Sequence, residues 1–169
     1  MQAAIRFKGA HIFASGTTGM RYANPLTPDN GDSAIDDITA IGNGAGDAFL
    51  YQSGGGLKIN NFKFLGGTFG FDVNWNVGLS GGPILSTGSI ETCTSSGIRV
   101  TTAAQLNGMY FDNINITCGS PNILVDNASA ASVIGGHAIG ISCAGGGGSC
   151  FDIGKWTGFT VQANDINNG

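Results

Sequence analysis

The stretch ILSTGSIETCTSSGIRV (residues 84–100) returns 25 residues later as MYFDNINITCGSPNILV (residues 109–125). Ile84 comes back as Met109, Thr92 as Thr117, Cys93 as Cys118, Ile98 as Ile123 and Val100 as Val125. The beat runs on in both directions: Ile59, Ile84, Met109, Ile134 and Phe159 keep it, as do Cys93, Cys118 and Cys143. Val73, Ile98 and Ile123 form another set, Trp75, Val100, Val125 and Cys150 a further one, and Thr92, Thr117 and Ser142 the last. A period between about 20 and 50 residues marks a solenoid, propeller or array. Inside each unit the alternation has period two, with Thr92 between Glu91 and Cys93, and Arg99 between Ile98 and Val100. Successive strand residues point to opposite faces, so the repeats are built of strands. No window joins helical spacing to cap signals, and 30 glycines in 169 residues would be costly in helices.

Short strands joined by Gly, Ser and Asn bends can wind once around an axis and lie beside their counterparts in the next turn, about 4.8 Å away. The fold expected is all-β, a parallel β-helix of about 25 residues per turn, with the repeating rows as its inward ladders. Propeller blades, at about 40 residues or more with four strands each, do not fit this unit. Residues 1–33 keep the beat poorly and read as an irregular capping segment. Ile5-Arg6-Phe7 and His11-Ile12-Phe13 are strand pieces there, and residues 24–31 form a turn-rich loop. The β-helix is expected over 34–169, in turns 34–58, 59–83, 84–108, 109–133 and 134–158, with 159–169 opening a sixth. An open end exposes a strand edge and apolar core, which points to a partner, a cap or more chain.

Composition narrows the partners. Net charge is −4, charged residues make up 11% and hydrophobic residues 41%. Seven scattered Lys and Arg cannot form the stripe that duplex nucleic acid demands. No apolar run is long enough to span a membrane, and Met1 to Lys8 lack the apolar stretch of a signal peptide. The sequons at Asn115 and Asn127 read as chance matches in an Asn-rich chain.

The four cysteines admit a disulfide, a zinc site or buried thiols. Cys143 and Cys150 lack the C-x-x-C spacing of structural zinc, and the laddered cysteines replace one another as a small buried hydrophobe would. Reduced core thiols are the expectation, and with them folding in a reducing compartment.

Segments such as Gly97-Ile98-Arg99-Val100 and Asn122-Ile123-Leu124-Val125, with the Ile/Val/Phe ladders and the Asn- and Gly-rich bends, resemble the pectin-lyase-like right-handed β-helices. The low charge and small size are most similar to the β-helical parts of bacteriophage tailspikes and fibres. That resemblance covers residues 34–165 and implies a right-handed fold, a homotrimer on a virion surface and production in a bacterial host's cytoplasm. It rests on architecture, so it implies fold far more than activity.

Candidate chemistry is sparse, with one Glu, two His and ten Asp. Asp112 and His137 lie 25 residues apart and should meet as rung neighbours, a carboxylate orienting an imidazole for proton abstraction. No Ser, Cys or Lys nucleophile keeps register with them, which favours a surface ion pair. Asp47 and Asp72 also fall one rung apart, in a row expected to face outward, where they could hold calcium or form an acid pair. Solubility is the plainer role for such a row. Asp126 and Asp152 come from neighbouring turns with uncertain register after the Gly145–Gly148 run, and residues 42–47 match a calcium-binding nonapeptide only in part. His11 has no evident partner. Glu91 falls in the inward row of Ile116 and Ile141, so Ile90 is expected to take the inward place through a bulge. Thr92, Thr117 and Ser142 would make one outward hydroxyl row too short for an ice-binding face. Trp75, Trp156, Tyr51, Tyr110 and Phe62 are candidates for sugar stacking, Trp75 with an inward register.

No cofactor or metal is expected. The reading that follows is a non-enzymatic virion protein, an oligomeric β-helix of a tailspike or fibre for host attachment, or of a particle decoration. Its partners would be copies of itself, other virion proteins and host surface polysaccharide, with no nucleic acid and no membrane insertion. The alternatives are a polysaccharide depolymerase and a glycan-binding module.

Overall fold

The repeats build two stacks of parallel strands, and among the described residues there is no helix. The structure, a computed structural model, describes residues 6–13, 18–22, 33–52, 56–75, 80–102, 106–125, 133–145, 148–154 and 156–167. Its strands are β1 (Arg6–Phe13), β2 (Met20–Tyr22), β3 (Ala34–Gly42), β4 (Phe49–Tyr51), β5 (Lys58–Gly66), β6 (Phe71–Trp75), β7 (Ser80–Gly81) and β8 (Ile84–Glu91). They continue with β9 (Ile98–Thr102), β10 (Leu106–Thr117), β11 (Ile123–Val125), β12 (Val133–Ala144), β13 (Phe151–Asp152), β14 (Trp156–Thr157) and β15 (Thr160–Asn167). One sheet runs β1-β3-β5-β8-β10-β12-β14, with β7 beside β10 and β15 beside β12; the other runs β2-β4-β6-β9-β11-β13. Every pairing is parallel. The chain is a parallel β-solenoid of about four turns, about 26 residues per turn. Within 1–33, β1 and β2 already pair with β3 and β4 as rungs of the two sheets. The loop expected at 24–31 lies outside the described residues.

Buried rows fill the space between the sheets. Ile35, Ile59, Leu85, Phe111 and Ala138 succeed one another across β3, β5, β8, β10 and β12. Ala40, Phe64, Ile90, Ile116 and Cys143 form a second row, and Tyr51, Val73, Val100 and Val125 a third on the opposite sheet. Phe49, Phe64 and Phe71 meet between the sheets with ring centroids 5.3 to 5.9 Å apart. Aromatic pairs at this distance add to the gain from area burial alone.

The 25-residue beat holds in one place and drifts elsewhere. Ile98 with Ile123 and Val100 with Val125 pair as expected. Seven residues then separate Val125 from Val133, where five separate Val100 from Leu106, so the long sheet advances by two. Gly136 therefore takes the place beside Met109, while Ile134 sits beside Asn107 and is 43% exposed. Ile84 pairs with Lys58 and Tyr110, leaving Leu85 to face inward beside Ile59. Ile59, Ile84, Met109 and Ile134, expected in one row with Phe159, thus belong to four different rows. Val73 likewise lies beside Val100 and not Ile98, and Thr117 pairs with Glu91 while Ser142 pairs with Asn115, so the expected hydroxyl row does not form.

The cysteines overturn the reduced-thiol expectation. Cys93 is bonded to Cys118 and Cys143 to Cys150, and no free cysteine remains. Cys93 and Cys118 are rung neighbours with Cα atoms 4.9 Å apart, inside the span a disulfide can bridge. Cys143, shifted by the longer connection, lies opposite Ile116 and reaches Cys150 instead.

One irregularity recurs on each turn of the long sheet. Gly9, Asp37, Asn61, Thr87, Asn113 and Gly140 all have positive φ, from 52° at Asn113 to 71° at Gly9, and each stands at the same place in its strand. A left-handed residue there breaks the period-two alternation, so the inward residues lie three apart: Ile35 and Ile38, Ile59 and Phe62, Phe111 and Ile114. Asp and Asn visit this conformation more readily than other side chains. Gly88, just past Thr87, leaves room that the Phe62 ring fills; a Cβ at Gly88 would lie 2.6 Å from that ring.

Candidate functional site

Three polar constellations stand out on this frame. The first is Asp112 with His137, whose Oδ1 and Nε2 lie 2.7 Å apart. Their backbones are offset, because the two-residue advance places His137 beside Tyr110 and Asp112 beside Ile139. The side chains bridge that offset diagonally, so the expected contact forms without the expected rung pairing. Tyr110 packs its ring edge-on to the imidazole at 5.1 Å and is 37% exposed. A half-exposed carboxylate, an imidazole and an open phenol thus share one outward patch.

The second constellation is buried. Asp72 faces Leu50 and Arg99 on the neighbouring strands, and Arg99 binds it in a fork, Nε donating to Oδ1 at 2.8 Å and Nη2 to Oδ2 at 2.6 Å. The guanidinium lies over the Phe69 ring, 3.7 Å from its centroid. Asp47 comes in from the loop before β4, shares a hydrogen bond with Asp72 and accepts one from the Phe69 N–H. Burial, then the Asp72 charge, push the Asp47 carboxyl up to about 6, against the pull of Arg99. Asp72 alternates with the inward Phe71 and Val73 and so faces outward, but its rung partner is Leu50 and Asp47 reaches it only by its side chain; the pair is 9% and 1% exposed, covered by an arginine that the 25-residue count put out of step.

The third is an open groove of about 520 Å³ that sequence reading did not find. It is lined by the left-handed residues Gly9, Asp37, Asn61 and Thr87 and by the row Thr39, Lys63 and Ser89 that follows them, with Ile38, Phe62 and Gly88 between. Its signal in the sequence was the three-residue spacing of apolar positions around Asp37 and Asn61, where strict alternation fails.

Glu91 points outward, 3.5 Å from Lys63 Nζ, and accepts a hydrogen bond from Ser89 Oγ at 2.8 Å. Ile90 is buried in its stead, as expected, though through a 26-residue register with Ile116 and not through a bulge. Trp156, Tyr51 and Phe62 are buried in the core, which removes them as sugar-stacking surfaces and leaves Tyr110 among the described side chains. Trp156 Nε1 donates to the Gly135 carbonyl at 2.8 Å. Asp126 and the side chains of His11 and Trp75 lie outside the described residues. Among the described residues no group of three His, Cys, Asp or Glu is placed to hold a metal ion, and no helix is long and apolar enough to cross a membrane. No family model, curated protein or solved structure matches the chain.

Proposed function

We propose that the chain is a non-catalytic, oligomeric β-solenoid of a virion surface, part of a bacteriophage tailspike, fibre or particle decoration that meets the host. The observation that carries this reading is the fate of the carboxylate pair best suited to acid–base work. Asp72 is 1% exposed and both its oxygens are engaged by Arg99, so Asp47 and Asp72 act as an internal staple between turns and not as a site open to substrate. A charge content of 11% supports packing against copies of the same chain, with a homotrimer as the assembly. Sedimentation equilibrium of the purified chain at micromolar concentration tests it. A mass three times that of the chain is expected, and a clean monomer would remove the oligomeric part of the reading.

A second reading, a polysaccharide depolymerase, draws on Asp112 and His137, whose 2.7 Å contact is what an oriented general base requires. Release of reducing ends or unsaturated products from bacterial surface polysaccharide, abolished by His137→Ala, would establish it in place of the first.

A further inference from the structure

Both disulfides lie at one corner of the solenoid, where the chain leaves the long sheet for the second sheet. Cys93 stands between β8 and β9 and Cys118 between β10 and β11, and their bond ties one turn to the next. Cys143, near the end of β12, reaches Cys150 just before β13, so the other bond closes the same corner one turn further on. Without these bonds the corner is weakly held. Ser96 Oγ and Asn122 Oδ1 are buried there without a hydrogen-bond partner, and each orphaned group opposes burial by its lost hydration. Two backbone bonds across the corner are long, Gly119 N–H to the Cys93 carbonyl at 3.2 Å and Asn122 N–H to the Ser149 carbonyl at 3.3 Å. The strands that follow, Ile123–Val125 and Phe151–Asp152, are three and two residues long. Four of the six residues between Cys143 and Cys150 are glycines, which gain the most freedom on opening. The turns before this corner carry devices that need no oxidant, the packed rings of Phe49, Phe64 and Phe71 and the fork of Arg99 on Asp72.

The strands can stack before the bonds form. A free thiol packs as a small hydrophobe, and the Cα atoms of Cys93 and Cys118 are 4.9 Å apart, the rung spacing itself of about 4.8 Å. We propose that this corner is a redox latch: with the four cysteines reduced it opens locally while the earlier turns stay wound, and oxidation of the two pairs closes it. The oxidant is a low-molecular-weight disulfide such as oxidised glutathione. The thiolate of one cysteine attacks it, breaks its S–S bond and releases one glutathione thiol. The partner cysteine's thiolate then attacks the mixed disulfide and expels the second. Two protein thiols are oxidised, one small disulfide is reduced, and the two cysteine protons end on the released thiols. Once closed, the bonds are shielded from reductant, since the cysteines are 2% to 6% exposed. The latch itself stands apart from the function proposed above; the passage from a reducing cytoplasm to an oxidising medium that closes it is what the virion reading supplies.

Hydrogen exchange, read by mass spectrometry on the whole chain oxidised and fully reduced, tests the latch. Peptides covering 92–98, 118–123 and 143–151 are expected to exchange about tenfold or more faster after reduction, with β3 and β5 unchanged, and oxidised glutathione should restore the protection. Two double variants repeat the comparison without reductant. Cys93→Ala with Cys118→Ala should loosen 92–98 and 118–123, and Cys143→Ala with Cys150→Ala should loosen 143–151. No change on reduction overturns the proposal, and so does an equal rise along the whole chain, which would make the bonds general staples. Bacteria expressing the chain in the cytoplasm, quenched in acid and alkylated in denaturant, should yield four free thiols, and the lysate exposed to oxidised glutathione none. Pairs already complete inside the cell overturn the switch. The expected exchange pattern in a chain that sediments as a monomer keeps the latch and removes the oligomeric virion reading.

Discussion

Arg99 closes over Asp72 with two parallel hydrogen bonds, at 2.8 and 2.6 Å, and so joins β9 to β6 beneath a surface that leaves the carboxylate 2% exposed. The aspartate is a buried charge whose desolvation is offset by that fork and by the packing of the guanidinium on Phe69. Arg99→Met leaves it without its cation and is expected to cost about 3–5 kcal/mol. Replacing both, Asp72→Leu with Arg99→Met, should recover most of the loss, since an apolar pair avoids the desolvation altogether. Urea denaturation measures both; a loss under about 1 kcal/mol for the single variant would mean that water screens the pair.

Asp47 gives the fold a pH dependence of unusual sign. Its carboxyl sits at about 6 in the folded chain against 3.8 for the free side chain, so the folded state holds the proton more tightly. Stability from this group therefore rises as pH falls through 6 and levels off below about 4, and it is lost as pH climbs above 6. Asp47→Asn mimics the protonated form, so it should raise the melting temperature at pH 8, by at most about 3 kcal/mol in stability, and flatten the profile between pH 4 and 7. A variant with an unchanged slope would place the titration elsewhere.

The two registers of the long sheet make opposite statements about Ile134 and Ile116. On the 25-residue count Ile134 belongs to the core, yet it is 43% exposed, while Ile116 is fully buried between Ile90 and Cys143. Ile116→Ala is expected to cost about 2–5 kcal/mol and Ile134→Ala under about 0.5 kcal/mol. Equal losses at the two positions would restore the uniform period.

That contrast marks how far the sequence was readable. Strand type, parallel stacking and the rows at Ile98–Ile123 and Val100–Val125 follow from alternation and the repeat, because a side chain's face depends only on parity within its own strand. Row membership across strands depends on connection lengths as well. The two extra residues before Val133 carried Ile134 out and Gly136 in, and the same drift hid Arg99 from Asp72. Asp112 and His137 were found because side chains long enough to bridge a two-residue offset forgive the error. The groove was missed because a left-handed residue changes parity inside a strand, and the apolar spacing of three that betrays it at Ile35–Ile38 and Ile59–Phe62 resembles a fragment of helix.

Cys93–Cys118 ties two successive turns through the core, closing a loop with a sequence separation of 25, whereas Cys143–Cys150 closes one of only 7. Chain-entropy arguments give the longer loop about 3–4 kcal/mol and the shorter one less. Intact mass of the alkylated, unreduced protein should show four cysteines blocked by pairing. The double variant Cys93→Ala, Cys118→Ala should then unfold at lower urea than Cys143→Ala, Cys150→Ala. Alkylation of all four thiols without reductant would return the cysteines to the buried-thiol state that the repeat alone suggests.

Thr87 is the one β-branched member of the left-handed column, at φ 56°, between Asn61 at 53° and Asn113 at 52°. A β-branched residue is a genuine outlier in that region, and such a conformation costs on the order of 1–3 kcal/mol when the surrounding strands enforce it. The pairings that flank it, Asn60 with Ser86 and Phe62 with Gly88 on one side, Asp112 with Ser86 and Ile114 with Gly88 on the other, provide that enforcement. Thr87→Asn matches the residue to its neighbours, and Asn61 already shows the local use of the amide by donating through Nδ2 to Asp37 Oδ1. The variant should therefore be more stable by about 1 kcal/mol, the lower end of the strain it relieves, while Thr87→Val keeps the branch and gains nothing. Thermal unfolding of the three chains side by side decides the matter: if Asn and Val behave alike, the left-handed column stores no strain at this turn.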